Sequence, residues 1–407
     1  MDTKTSVVVI GANFGGLTAA LRLSDEYDVV VIDPSPHFEF LPNIHELLSG
    51  VKSPDQLRLS RQRLLSRAGH RFFQDRVIDL DPEGRTVQTE SGDVFSFDIC
   101  VVAVGGVNNT FGVPGADEYA YPFKSVDQCE AIGTTLRALF EQQERVDICI
   151  VGGGLEGIES LGEILRRYRD TDGLNVHLIE SGDQLLPGLP AALGDDVERK
   201  VQGFPVDIHT GTRVKAVNET TVQLSSGETV PADITIWTGG ATPPEILAES
   251  GLVAEQGRWA PVRETLQSTL YDHIFVIGDA AELPQPLSKQ AYYATDMGEC
   301  AAKNIARFVA GEALAAFEPP TNLSLISFGD LDTYLVVGNA VATGTALASL
   351  KEFIYQFNMA RYEPPLNLLS FLDIQSRFWR GFFALGVPTL LSPRAFLRLA
   401  YLRLLSL

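Results

Sequence analysis

At 407 residues the chain is long enough for two or three domains, and 45% hydrophobic beside 21% charged residues is ordinary for a globular protein. A net charge of −20 argues against binding nucleic-acid phosphates over a broad surface, and repels an anionic bilayer unless a local basic patch offsets it. Cys100, Cys129, Cys149 and Cys300 have no CxxC spacing, which fits a reducing compartment, and the six histidines (37, 45, 70, 177, 209, 273) have no metal-ligand spacing.

Residues 6–33 read as strand, glycine turn, helix and strand, with Gly11-Ala12-Asn13-Phe14-Gly15-Gly16 at the turn. A strand follows so soon after Met1 that no signal peptide is expected. Residues 73–98 alternate and turn at Asp81-Pro82-Glu83-Gly84 and Ser91-Gly92-Asp93, which predicts an antiparallel insertion. A strand then ends in Val104-Gly105-Gly106. The same plan repeats downstream: strand, turn and helix around Gly152-Gly153-Gly154-Leu155-Glu156-Gly157, a meander at 213–232, and a strand ending in Thr238-Gly239-Gly240. Further on, Ile274-Phe275-Val276-Ile277-Gly278-Asp279 reads as a strand ending in a Gly-Asp pair, a helix covers about 290–309, and Pro319-Pro320 marks a boundary.

The expected fold is therefore α/β with two Rossmann-type dinucleotide-binding domains, each built on a βαβ unit. Residues 116–255 form the second domain, inserted between two parts of the first (1–115 and 256–318), and 319–407 form a C-terminal region. No run of about twenty apolar residues exists, so no membrane-spanning helix is expected.

In a Rossmann turn the first glycine permits the bend, the second lets backbone N–H groups approach a pyrophosphate, and the third lets helix and strand pack closely. An acidic residue ending the next strand then accepts the ribose hydroxyls. Gly152, Gly154, Gly157 and Glu180 supply every part, and the carboxylate would repel a 2′-phosphate, which favours NADH over NADPH. In the first turn Asn13 replaces the second glycine, while Gly11, Gly16 and Asp33 are as expected. Asparagine tolerates positive φ, which would preserve the turn. An aspartate placed like Asp279 suits the ribityl chain and phosphate of a flavin. Two such sites in one chain point to a flavin (FAD) reduced by a nicotinamide (NADH).

These segments, with Asn109-Thr110-Phe111-Gly112-Val113-Pro114-Gly115, Phe123-Lys124-Ser125 and Trp237-Thr238-Gly239, resemble type II NADH:quinone oxidoreductases over about residues 5–310. The resemblance implies a single-subunit, non-pumping flavoprotein with FAD in the first domain and NADH in the second. FAD-contacting candidates are Gly11, Asn13, Phe14, Gly15, Gly16, Asp33, Pro42, Val77, Gly105, Gly278 and Asp279. For NADH they are Gly152, Gly154, Leu155, Glu156, Gly157, Glu180 and Gly239. Glu159 matches the family's glutamate beside flavin and nicotinamide, and would orient the nicotinamide or relay a proton. The family's Ala-Gln-x-Ala-x-Gln quinone segment appears here as Ala291-Tyr292-Tyr293-Ala294-Thr295-Asp296, both glutamines being replaced. Lys289-Gln290-Ala291-Tyr292-Tyr293-Ala294 is closer to the ferroptosis-suppressor branch related to apoptosis-inducing factor. Lys289 would place a cation near the flavin, stabilising its anionic reduced form, and Ala291, Tyr292 and Tyr293 are candidates to line a slot for a flat acceptor.

Residues 374–407 contain five arginines and no acidic residue, opposite in sign to the whole chain. Arg377, Arg380, Arg394, Arg398 and Arg403 alternate with Phe378, Trp379, Phe382, Phe383, Phe396 and Tyr401, and Pro388 and Pro393 divide the stretch. Short amphipathic helices of this kind predict a monotopic anchor on anionic lipid, placing the protein in the cytoplasm on the inner face of the cell membrane. The expectation is an FAD-dependent NADH dehydrogenase serving a membrane quinone, with a homodimer left open. The alternatives are a soluble reductase of a ferredoxin- or rubredoxin-type protein, or a nucleotide-binding redox sensor.

Overall fold

The structure, a computed structural model, describes residues 4–363 and 403–405. It divides into two compact units, Met1–Glu39 with Arg58–Val107 and Ala241–Pro320, and Phe40–Leu57 with Asn108–Gly240 and Thr321–Leu407.

The first unit is built on a five-stranded parallel sheet in the order Ile274–Val276, Ile99–Val102, Ser6–Ile10, Asp28–Ile32, Arg71–Phe73. Its central strands are runs of Val and Ile buried on both faces, as a parallel sheet covered by helices requires. The helices Phe14–Arg22 and Ala291–Ala310 cross closely because Gly298 leaves no side chain at the contact; a Cβ there would lie 2.4 Å from the Gly15 carbonyl oxygen. The antiparallel insertion forms from Val77–Asp81, Thr86–Thr89 and Val94–Ser96.

The second unit repeats the plan with strands in the order Ala120–Pro122, Ile234–Trp237, Val146–Val151, Leu174–Ile179, Val206–His209. Its meander, Val214–Val217, Thr221–Leu224 and Thr229–Pro231, closes a core containing Cys149, Ile179, Val222, Leu224 and Trp237. Helix Val126–Gln142 starts where the Ser125 hydroxyl accepts the Gln128 amide. A C-terminal antiparallel sheet, Leu323–Phe328, Asp332–Val337 and Ala340–Thr343, carries helix Leu347–Tyr362. It packs on helix Leu155–Tyr168 through glycines: a Cβ on Gly329 (φ +56°) would sit 2.1 Å from the Gly162 oxygen.

The basic, aromatic tail singled out in the sequence lies outside the described residues apart from Arg403–Leu405. Those three are extended and pair with Ala340–Thr343, so the helix expected through Arg403 is not what they form. The open backbone edge of that strand offers them hydrogen bonds that a terminal helical turn would lack. No helix among the described residues is long and apolar enough to cross a membrane.

Candidate dinucleotide sites

In the first unit the strand-to-helix turn is shaped by contacts that exclude side chains. Gly11 has φ +88°, and a Cβ there would meet the Ala103 oxygen at 2.4 Å; a Cβ on Gly16 would lie 1.9 Å from the Gly11 oxygen. Asn13 adopts φ −95°, so it does not use the left-handed conformation expected of it. Its side chain acts instead as a tie, with Oδ1 accepting the Glu39 amide at 3.1 Å and joining the turn to the loop beyond Asp33. Phe14 is buried edge-to-face on Phe38, 5.1 Å between centroids.

Asp33 Oδ2 accepts the Ala12 amide at 2.7 Å, and Oδ1 accepts the Ser35 amide at 2.9 Å and Arg61 Nη1 at 2.5 Å. Arg61 also donates to the Ala12 and Ser35 carbonyls at 2.8 and 2.6 Å, so one buried guanidinium holds both sides of the turn. Burial pulls the Arg61 pKa down, against Asp33 and Glu39. Sequence reasoning missed Arg61, because its residue number places it far from the fingerprint and only the helix start at Ser60 marks the position.

At the far edge, Gly105 and Gly278 both have φ +67°, and Gly278 leads the turn Gly278–Ala280 that carries Asp279. Beside it is a cavity of about 210 Å³ lined by Trp259, Asp279, Leu283, Lys289, Tyr293 and Met297, among others. Lys289 Nζ donates to the Ala281 oxygen at 2.8 Å and lies 4.3 Å above the Trp259 ring. Burial lowers the Lys289 pKa, opposed by Asp279 and Glu282. Tyr293 is buried in this wall with its hydroxyl 3.4 Å from the Pro320 oxygen; Tyr292 contacts it ring to ring at 4.2 Å but does not line the cavity, nor does Ala291, the first residue of its helix. Val77 is placed at the start of the antiparallel insertion. Pro42 belongs to the second unit, in the turn Leu41–Asn43.

The second unit's turn follows the same physics. Gly152 has φ +110° with Thr238 Oγ1 2.7 Å from where a Cβ would be, and a Cβ on Gly157 would lie 1.8 Å from the Gly152 oxygen. Gly154 caps the helix Leu155–Tyr168 with open space over it, a cradle for an anion at a helix N-terminus. Glu180 Oε2 accepts the Gly153 amide at 2.7 Å and Oε1 the Gly182 amide at 2.6 Å. Leu155 is exposed at the helix start, and Glu156 pairs with Lys124 at 2.6 Å. The Gly239 oxygen accepts from Trp237 Nε1 at 3.0 Å. In both units, therefore, the turns and acidic residues fit a dinucleotide's pyrophosphate and ribose.

Glu159 lies one turn into that helix and is enclosed by side chains of its own unit. Its Oε1 meets Lys351 Nζ at 2.5 Å and the Ser327 amide at 3.1 Å, and Oε2 is 3.4 Å from His45 Nδ1. Burial pushes its carboxyl up, against Lys351. Around it are Glu46, Lys52, Glu163 and Glu352, all buried.

The family model described as pyridine nucleotide-disulphide oxidoreductase matches residues 5–298. The type II NADH:quinone oxidoreductase of Staphylococcus saprophyticus is 26% identical over 380 residues, covering 86% of this chain and 94% of its own. Among solved structures, NDH2 from Plasmodium falciparum in complex with NADH superposes with a TM-score of 0.82 at 17% identity, covering 97% of this chain and 100% of its own. The sulfide:quinone oxidoreductase of Aquifex aeolicus superposes at 0.75 and 20% identity, covering 92% of each. These structural likenesses carry the fold.

Proposed function

The chain belongs to the pyridine nucleotide-disulphide oxidoreductase family, and we propose that within it the protein passes electrons from NADH through FAD to a membrane quinone without pumping protons. It is an FAD- and NADH-dependent oxidoreductase; the quinone and the membrane surface extend that assignment. The observation that carries the reading is the complete second turn, with Glu180 fixed across it, in a chain that aligns along most of its length with a type II NADH:quinone oxidoreductase.

FAD, when bound, supplies a centre that accepts a hydride from NADH and passes two electrons onward. The chain's residues bind and orient. The first turn would hold the FAD pyrophosphate, with Asp33 set by Arg61 to accept ribose hydroxyls. The second turn and Glu180 would do the same for NADH. Lys289, held by Trp259 and the Ala281 carbonyl, keeps an ammonium on the cavity beside Asp279, and the apolar walls of that cavity suit a flat acceptor. Glu159, held by Lys351 and the Ser327 amide, would orient the nicotinamide or relay a proton.

The basic, aromatic tail is the proposed contact with anionic lipid. Full-length protein should sediment with anionic vesicles while a chain ending near residue 370 stays in the supernatant; equal partition of the two would refute the anchor. Turnover with menaquinone or ubiquinone analogues, and none with a ferredoxin-type protein, is expected of the quinone reading, and the reverse preference would overturn it.

A further inference from the structure

Within the second unit, helix Leu155–Tyr168 presents Glu159 and Glu163 one turn apart toward helices Glu46–Ser49 and Leu347–Tyr362. Glu46 from the first and Glu352 from the second complete a set of four buried carboxyls. Among the described residues three cations face them, Lys52, Lys351 and Arg166. His45 does not add a fourth, because burial and then Lys351, Arg166 and Lys52 push its pKa well below the usual value. Were every carboxyl ionised, the cluster would hold one uncompensated negative charge away from water, which is costly.

The hydrogen bonds show which carboxyl is least able to bear that charge. Glu159 has the Lys351 ammonium at 2.5 Å and the Ser327 amide at 3.1 Å. Glu352 has Lys52 at 2.6 Å and the Gln356 amide at 2.8 Å. Glu46 has Lys52 at 3.2 Å and Asn43 Nδ2 at 3.1 Å. Glu163 is fully buried, and its Oε1 makes no hydrogen bond; Arg166 Nη2 lies 3.3 Å away without forming one. Its other oxygen contacts the Ser49 hydroxyl, a neutral group that can donate or accept.

We propose that Glu163 is the protonated carboxyl of this cluster in the resting enzyme. Burial, reinforced by Glu46 and only partly offset by Arg166, pushes its pKa up to about 7.

The test uses the full-length holoenzyme and infrared difference spectroscopy. Oxidised wild-type protein should show the carbonyl band of a buried protonated carboxyl, shifted in D2O and lost in Glu163→Gln. Ser49→Ala leaves every charge in place and should move the band to higher frequency by removing a hydrogen-bond partner. A band that survives Glu163→Gln, or ignores Ser49→Ala, refutes the protonated state without reference to any acceptor.

Discussion

Glu180 Oε2 accepts the Gly153 amide at 2.7 Å, so the group that would recognise ribose also sets the shape of the turn that would recognise pyrophosphate. Asp33 repeats this with Ala12 at the same distance. Each acid acts on the backbone and, in the proposed function, would act a second time on a nucleotide.

Glu180→Ala removes both actions. Losing one or two charge-assisted hydrogen bonds to a ribose is worth about 1.5–3 kcal/mol, so the KM for NADH should rise about tenfold or more while the bound flavin stays. The preference for NADH over NADPH should narrow by about the same factor, since the carboxylate that repels a 2′-phosphate is gone. Steady-state kinetics with both nucleotides measure it.

Arg61→Met leaves Asp33 buried without its cation. Breaking a buried pair in this way costs about 3–5 kcal/mol, so the variant should purify with a lower flavin-to-protein ratio and melt well below wild type. Arg61→Lys keeps the charge but cannot reach Asp33, Ala12 and Ser35 together, and should fall between the two.

Lys289→Met removes the ammonium from the cavity beside Asp279. If that charge stabilises reduced flavin by about 1.4 kcal/mol, the two-electron potential should drop by about 30 mV, read by equilibration with redox dyes. Trp259→Leu should give a smaller drop in the same direction, because it frees the ammonium without removing it.

Glu163→Gln should alter how stability depends on pH. The carboxyl's pKa rises from 4.5 to about 7 on folding, chiefly through burial, so between those values the folded protein holds more protons than the unfolded chain. Wild-type stability therefore falls as pH rises through that window, by up to about 3 kcal/mol. The glutamine variant should match wild type near pH 4 and exceed it at pH 8. Denaturant unfolding at the two pH values checks this, and a variant less stable at pH 8 would contradict it.

The sequence carried the strand-and-turn plan of both units because a buried parallel sheet leaves uninterrupted Val and Ile runs and its turns demand glycine. Asp33 and Glu180 were legible for the same reason, each ending a strand at a fixed distance from a turn. The role of Asn13 was not: its identity suggested backbone freedom, whereas its side chain holds Glu39. Arg61, Trp259 and Lys351 reach their partners across tens to hundreds of residues of chain, and no local period records such a meeting. The buried cluster around Glu159 was invisible for a related reason, since a lone charged residue in a helix reads as solvated until its neighbours are known.

The central claim is a two-step electron path, and an anaerobic cuvette tests it most directly. Addition of NADH to the FAD-loaded protein should bleach the flavin absorbance with about one equivalent per site, and a menaquinone or ubiquinone analogue added next should restore it within seconds. Flavin that NADH cannot bleach, or bleached flavin that no quinone reoxidises, would contradict the account.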